Sequence, residues 1–212
     1  TLLGLQGGPA LLLRAPQGQT ALLNGAADSR ALEDALARRL PPFGARLDAL
    51  LITTRYASPL NALASLVERF PPAQVAFAPS ISQGAARNRL VSLLRAQKVE
   101  MAELQTGSQL TLGQDARLTV LAQTPQGTAL VLEWKNFRAL LPGGVAPQDL
   151  ARLPAESVQS PGLLLLTPAD LEAQPPAAWE ALNPALVAWL QPGALINRPG
   201  WLSLEQAGWL EL

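Results

Sequence analysis

Residues 47–80, "LDALLITTRYASPLNALASLVERFPPAQVAFAPS", constrain the fold more than any other stretch of the chain. "LDALLITT" is a nearly continuous apolar strand, the pattern expected where both faces of a sheet are covered. A helix over about 59–70 follows, with Leu60, Leu63, Val67 and Phe70 on one face and Pro71-Pro72 as its stop. "QVAFAPS" is then a second buried strand. Upstream, "DSRALEDALARRL" places Leu32, Leu36 and Leu40 at i, i+4 spacing, with Asp28 or Ser29 as N-cap and Pro41-Pro42 beyond. Downstream, "SQGAARNRLVSLLRAQ" turns Leu90, Leu93 and Leu94 inward. Strand and helix therefore alternate, the mark of a layered α/β domain.

The flanking segments differ. "TLLGL", "PALLLRA" and "QTALLNG" read as an opening β-meander around the turn "PQG". "VEMAEL", "SQLTLG", "ARLTVLAQ", "TALVLEW" and "FRALLPG" read as a second one. "APQDLARL" is a brief helix, "GLLLLT" a buried strand, "PAAWEALN" a helix, "ALVAWLQ" a buried strand and "GWLEL" an edge or closing strand. Two halves of this kind predict an α/β (α+β) four-layer αββα sandwich forming one domain over residues 1–212. Opening at Thr1 rather than Met, the chain is expected to be a fragment or a processed product.

The chain has no His and no Cys. That removes the commonest general base, the usual nucleophilic triads and the usual ligands of catalytic zinc. Net charge is zero, which argues for no particular polyanionic partner. The charges are polarised nonetheless: residues 1–106 hold 11 basic and 7 acidic side chains, and residues 107–212 hold 5 and 9. The longest apolar runs, such as Leu163–Leu166, fall far short of the roughly 20 residues of a membrane-spanning helix.

The order of elements matches the metallo-β-lactamase fold, and the residues resemble the soluble domain of the ComEC family of competence (DNA-uptake) membrane proteins. "LQGGPA" stands where that family has "VGQGDA", and "APQGQTALLNGA" is similar to its "TPDGKTILIDGG". "ALARRLPPFGARLDALLIT" resembles its helix, proline stop and fourth strand. The fold's metal motif, H-x-H-x-D-H, should follow. Laid on "DALLITTRYASPLNAL", it puts Thr54, Tyr56, Ser58 and Pro59 in the four ligand slots. The family's "FSFLLTGD" is "FRALLPGG" here, so the bridging Asp is Gly144. The "HHGS" region is matched by "TPAD", with Thr167 or Pro168 in the His slot, and two further motif Asp residues are Pro9 and Asn24. The resemblance thus implies a degenerate site with no metal and no cofactor.

Ser58 and Pro59 read better as helix N-cap and first helical residue than as ligands. Tyr56 either stacks a base beside Arg55 or fills the emptied pocket with its ring, and the second is expected. Arg38 and Arg39, and the group Arg55, Arg87, Arg89, Arg95 and Lys98, are candidate phosphate contacts, although solvated helix faces look the same. Asp28, Asp48, Asp115 and Asp170 are the carboxylates nearest the expected cleft edges, with no spacing that pairs them. Trp134, Trp179, Trp189, Trp201 and Trp209 read as core or rim.

The function these features imply is a non-catalytic module of a ComEC-like DNA-uptake protein in a bacterium, structural, partner-docking or weakly DNA-contacting. Its expected partners are DNA and the membrane-channel portion of its own parent chain, with tethering to the inner (cytoplasmic) membrane and no identified small-molecule substrate. The alternative is a nuclease- or phosphodiesterase-like hydrolase with a rebuilt, metal-independent site.

Overall fold

The computed structural model describes residues 2–5, 8–41, 46–54, 56–81, 83–189, 198–204 and 209–210. The chain forms two compact units, Thr1–Leu104 with Gly208–Leu212, and Gln105–Ala207.

The first unit is built on a seven-stranded sheet. Its opening meander comprises β1 (Leu2–Leu5), β2 (Gly8–Arg14) and β3 (Thr20–Leu23), paired antiparallel. Three crossovers follow, through α1 (Ser29–Ala37), β4 (Leu47–Ile52), α2 (Ala57–Arg69), β5 (Pro72–Phe77), α3 (Ala85–Ala96) and β6 (Glu100–Glu103). β3 to β6 pair parallel, each register sliding the next strand alongside the last. A final short strand returns to pair with β1 through Leu2 and Leu210. The covered strands explain the continuous apolar runs: Leu22, Leu47, Leu50 and Ile52 have no exposed surface. Leu32 and Leu36 of α1 and Leu60, Leu63, Leu66 and Val67 of α2 are buried to the same degree.

The caps follow from residue chemistry. Asp28 accepts a hydrogen bond from the Ala31 N–H at 3.0 Å, closing the first turn of α1 as expected. α1 ends at Ala37, before its prolines. α2 starts two residues earlier than the Ser58-Pro59 pair suggests. Tyr56 is its N-cap, Ser58 is an exposed second helical residue and Pro59 is the buried third. Proline is tolerated there for the same reason as at the first position, since no N–H of the first turn has an intrahelical acceptor. α3 turns Leu90 and Leu94 inward, while Leu93 is only half-buried.

The second unit holds the other seven-stranded sheet. β7 (Gln109–Leu112), β8 (Ala116–Thr124), β9 (Gly127–Trp134) and β10 (Phe137–Leu141) form the antiparallel meander. β11 (Leu163–Leu166), β12 (Val187–Trp189) and β13 (Trp201–Ser203) extend it in parallel. Short helices α4 (Pro147–Leu150), α5 (Ala155–Val158), α6 (Pro168–Ala173) and α7 (Pro176–Glu180) connect them. "VEMAEL", expected in this meander, is instead β6 of the first sheet. Helices α5 and α6 and strand β13 are additions to the expected elements. The core of this unit gathers Leu140, Leu150, Leu164 and Leu166 around Trp179 and Trp189, with Trp201 packed at its margin.

Candidate functional site

In sheets with parallel strands, ligands bind beyond the carboxyl ends of the strands, which is where the motif positions fall. In the first unit, β3 and β4 end on Asn24 and Thr53. Asn24 adopts the left-handed conformation (φ 59°), which its short polar side chain tolerates better than most. Its backbone N–H donates to the Leu51 carbonyl at 2.8 Å. Its Oδ1 accepts from the backbone N–H groups of Thr53 at 2.7 Å and Thr54 at 3.0 Å. Its Nδ2 donates to Thr53 Oγ1 at 2.9 Å. One carboxamide thus ties the two strand ends together. Thr54 Oγ1 in turn accepts from the Tyr56 N–H at 3.3 Å, fixing the entry into α2. Behind this clamp, a Cβ on Gly25 would meet Leu63 Cγ at 2.8 Å, so the turn after β3 lies directly on α2.

In the second unit the equivalent strand ends, after β10 and β11, are joined by Asp170. Its Oδ1 accepts from the Gly144 N–H at 2.8 Å. Its Oδ2 accepts from the Thr167 N–H at 2.7 Å and the Thr167 hydroxyl at 2.6 Å. Thr167 is the N-cap of α6 and Pro168 its first residue. Asp170 is 1 % exposed, and burial pushes its pKa up, against the pull of the three hydrogen bonds that favour the carboxylate. Gly143 and Gly144 both lie at positive φ (56° and 94°) and press against the β8–β9 turn, where the Thr128 N–H donates to the Gly143 carbonyl at 3.2 Å.

No family model matches the chain, and no curated protein matches it by sequence. Solved structures do match. Zn2+-bound PqqB from Methylobacterium extorquens superposes with a TM-score of 0.65 at 16 % identity, over 94 % of this chain and 84 % of that one. The metallo-β-lactamase fold protein YhfI from Bacillus subtilis gives 0.60 at 14 % identity, over 90 % and 84 %. CmlA, a diiron β-hydroxylase from Streptomyces venezuelae, gives 0.55 at 16 %, over 91 % and 45 %. This chain has the metallo-β-lactamase fold.

PqqB is Zn2+-bound in that structure and CmlA is a diiron enzyme, so the slots of the metallo-β-lactamase fold can be tested here for fit. A transition-metal centre needs three or four imidazole, thiolate or carboxylate donors converging on one point. No three His, Cys, Asp or Glu come together among the described residues. The slot residues are also committed elsewhere. Thr54 holds the Tyr56 amide, Ser58 and Pro59 are in the first turn of α2, Gly144 has no side-chain donor atom and its N–H donates to Asp170, and Thr167 is bound to Asp170. These residues do not fit such an ion.

Tyr56 corrects one expectation: it is 44 % exposed, so its ring does not fill an emptied pocket. Asp170 corrects another, because the carboxylate expected near a cleft edge is an internal tie between Gly144 and Thr167. The remaining carboxylates are not paired with one another. Asp28 caps α1, Asp48 Oδ2 accepts from the Thr20 N–H at 2.6 Å, and Asp115 is exposed in the β7–β8 turn. Arg55 lies outside the described residues. Arg87 packs over the Phe77 ring at 5.6 Å and donates to Gln83 at 2.8 Å, while Arg89, Arg95 and Lys98 are exposed. At 100° per residue, Arg95 stands about 80° round the helix from Arg87, but Arg89 stands about 160° from it. The helix therefore turns Arg87 and Arg95 toward one side and Arg89 away from Arg87, while Lys98 lies just beyond its C-terminus. Arg39 donates to the Ala35 carbonyl at 3.0 Å, and Arg38 is exposed at the end of α1.

The Asp170 tie makes a pH prediction. A carboxyl whose pKa is raised on folding contributes stability that is fully present below its unfolded value of 3.8 and is lost as pH rises through the folded value. Asp170→Asn retains an acceptor for Gly144 but turns an NH2 toward the Thr167 N–H. The expected cost near neutral pH is about 1–3 kcal/mol, with this component of the pH dependence abolished. Urea unfolding of both proteins across the acidic range measures it.

Proposed function

We propose that this chain is a non-catalytic metallo-β-lactamase-fold module of a ComEC-like DNA-uptake protein. The observation that carries the reading is that slot residues are tied into the fold by hydrogen bonds: Asn24 joins β3 to β4, Thr54 holds the Tyr56 amide, and Gly144 and Thr167 are bound to Asp170. A fold that elsewhere holds metal at these strand ends here spends them on hydrogen bonds that close the loops. The DNA-uptake context comes from the sequence resemblance across "LQGGPA", "APQGQTALLNGA" and "ALARRLPPFGARLDALLIT". The module is tethered through the channel portion of its parent chain at the inner membrane of a bacterium. No helix among the described residues is long and apolar enough to cross a membrane.

DNA contact in this reading is weak and falls to the side of α3 bearing Arg87 and Arg95, with Lys98 just beyond the helix. Arg55, which follows β4, is a further candidate. Three or four phosphate neutralisations give a moderate salt slope rather than tight binding. A metal-independent hydrolase would need an accessible pair of catalytic groups, and the buried, triply bonded Asp170 weighs against one.

The test is a titration of labelled single- and double-stranded DNA against the chain at two salt concentrations. The reading expects binding at low salt that weakens as salt rises, is reduced by Arg87→Gln and Arg95→Gln, and leaves the DNA uncut. Absence of binding at low salt would leave partner docking or structure as the module's role. Cleavage of the DNA would overturn the reading.

A further inference from the structure

Away from the strand ends that carry the motif positions, the first unit has a surface cleft of about 300 Å3. It opens at the amino ends of β4 and β5, where Arg46 precedes β4, Pro71 and Pro72 enter β5, and Gln97, Lys98 and Val99 leave α3. Two of these residues are cations, and no carboxylate lines the cleft among the described residues. Among the described residues neither Arg46 nor Lys98 makes an ion pair. Asp48, two residues from Arg46, is occupied by the Thr20 N–H and hydroxyl.

The walls are built in place. Lys98 sits in the left-handed conformation (φ 58°) that ends α3, and its N–H and that of Val99 satisfy the carbonyls of Arg95 and Leu94 at 3.0 Å. Gln97 Nε2 donates to the Val67 carbonyl at 3.1 Å, fixing that side chain against α2. The Arg46 carbonyl accepts from Thr20 Oγ1 at 3.2 Å. Two prolines supply a rigid apolar wall whose ordering entropy is already spent. The volume lies at the low end of the range for small-molecule sites, roughly 300–1,000 Å3.

We propose that this cleft binds an organic monophosphate of nucleotide size, with the phosphate between Arg46 and Lys98 and the organic ring against Pro71, Pro72 and Val99. Two cations on one cleft match the charge of a phosphate monoester, and the guanidinium of Arg46 can take two of its oxygens at once. The apolar wall gives no return for a bare inorganic ion, so the ligand carries an organic part. The cleft shares Lys98 with the surface to which DNA contact is assigned, but it uses neither Arg87 nor Arg95, so the response to Arg46→Gln tests it apart from that reading.

The experiment titrates the full chain with thymidine 5′-monophosphate at low salt by calorimetry or NMR. Saturable one-to-one binding is expected, with thymidine not binding and inorganic phosphate binding more weakly. Lys98→Gln is expected to weaken it about tenfold, the loss of one charge-assisted hydrogen bond, and Arg46→Gln by at least as much, since the guanidinium takes two oxygens. Arg89→Gln, on the other side of α3, leaves it unchanged. Both cleft side chains are exposed, so the variants keep the fold, and circular dichroism verifies that. A 5′-phosphorylated oligothymidylate binding more tightly than the mononucleotide assigns the end of a strand as the ligand; weaker binding assigns the free nucleotide. Failure of the mononucleotide to bind, or equal binding by both cleft variants, would overturn the proposal.

Discussion

Gly127→Ala is expected to be the most damaging glycine-to-alanine change among the described residues. The new Cβ would lie 1.8 Å from the Gly143 carbonyl oxygen, 2.8 Å from its carbon and 2.9 Å from Gly144 Cα. All three are backbone atoms, so no side chain can swing aside. The turn they belong to is itself tightly placed, since a Cβ on Gly143 would meet the Thr128 carbonyl oxygen at 2.3 Å and one on Gly144 the Gln126 carbonyl oxygen at 2.6 Å. Displacing that turn breaks the Thr128–Gly143 hydrogen bond and withdraws the Gly144 N–H from the buried Asp170 carboxylate. The sum belongs with the exceptional cases, about 4–5 kcal/mol or more. Urea unfolding measures it, with Gly84→Ala as the control. A Cβ at Gly84 meets nothing within 4 Å, and that substitution is expected to stay within about 1 kcal/mol.

Trp179→Ala is the second large effect. Trp179 has no exposed surface and packs in the cluster with Leu164, Leu166, Val187 and Trp189. Its removal leaves a cavity among parallel strands that cannot collapse freely, at a cost of about 3–5 kcal/mol. Trp179→Phe separates packing from hydrogen bonding. The indole Nε1 has no hydrogen-bond partner among the described residues, so Phe forfeits volume alone and costs less than half as much. Trp134→Ala offers the contrast. Trp134 is 38 % exposed on β9 with Lys135 Nζ over its ring at 5.4 Å, and its loss shifts the unfolding midpoint little.

These two sites also show which parts of the structure were legible in the chain. Trp179 was readable as core or rim from its place in "PAAWEALN". The Gly127–Gly143 contact was not, because it joins turns sixteen positions apart that each look like ordinary turn chemistry. The alternation of apolar strands and amphipathic helices gave away β3 to β5 and α1 to α3, since covered strands and half-covered helices impose different periods. Strand pairing is a long-range property, so "VEMAEL" looked like part of the meander that follows it in sequence rather than the edge of the sheet before it. Helix α6 was hidden in plain view: Thr167-Pro168 is an N-cap followed by a first-turn proline, with Asp170 at the third helical position, a strong start signal. The same signal at Ser58-Pro59 pointed two residues too late, because proline is equally free of cost anywhere in the first turn.

The candidate site was legible as a pattern of replacements and illegible as a set of contacts. Nothing local says that Asn24 accepts from two consecutive amides thirty residues away, or that the Asp170 carboxylate is buried. Both become plain only when the strand ends are side by side. The cleft beside Arg46 and Lys98 is of the same kind, assembled from three segments that share no motif.

Metal analysis of the purified protein decides whether this metallo-β-lactamase-fold chain holds a metal centre. The chain would be exposed to zinc, manganese and iron in turn, passed through buffer free of chelators, and measured by mass spectrometry. Metal far below one ion per chain is expected for all three, with no change in unfolding midpoint on their addition. One or two equivalents of any of them, retained with a rise in stability, would contradict it.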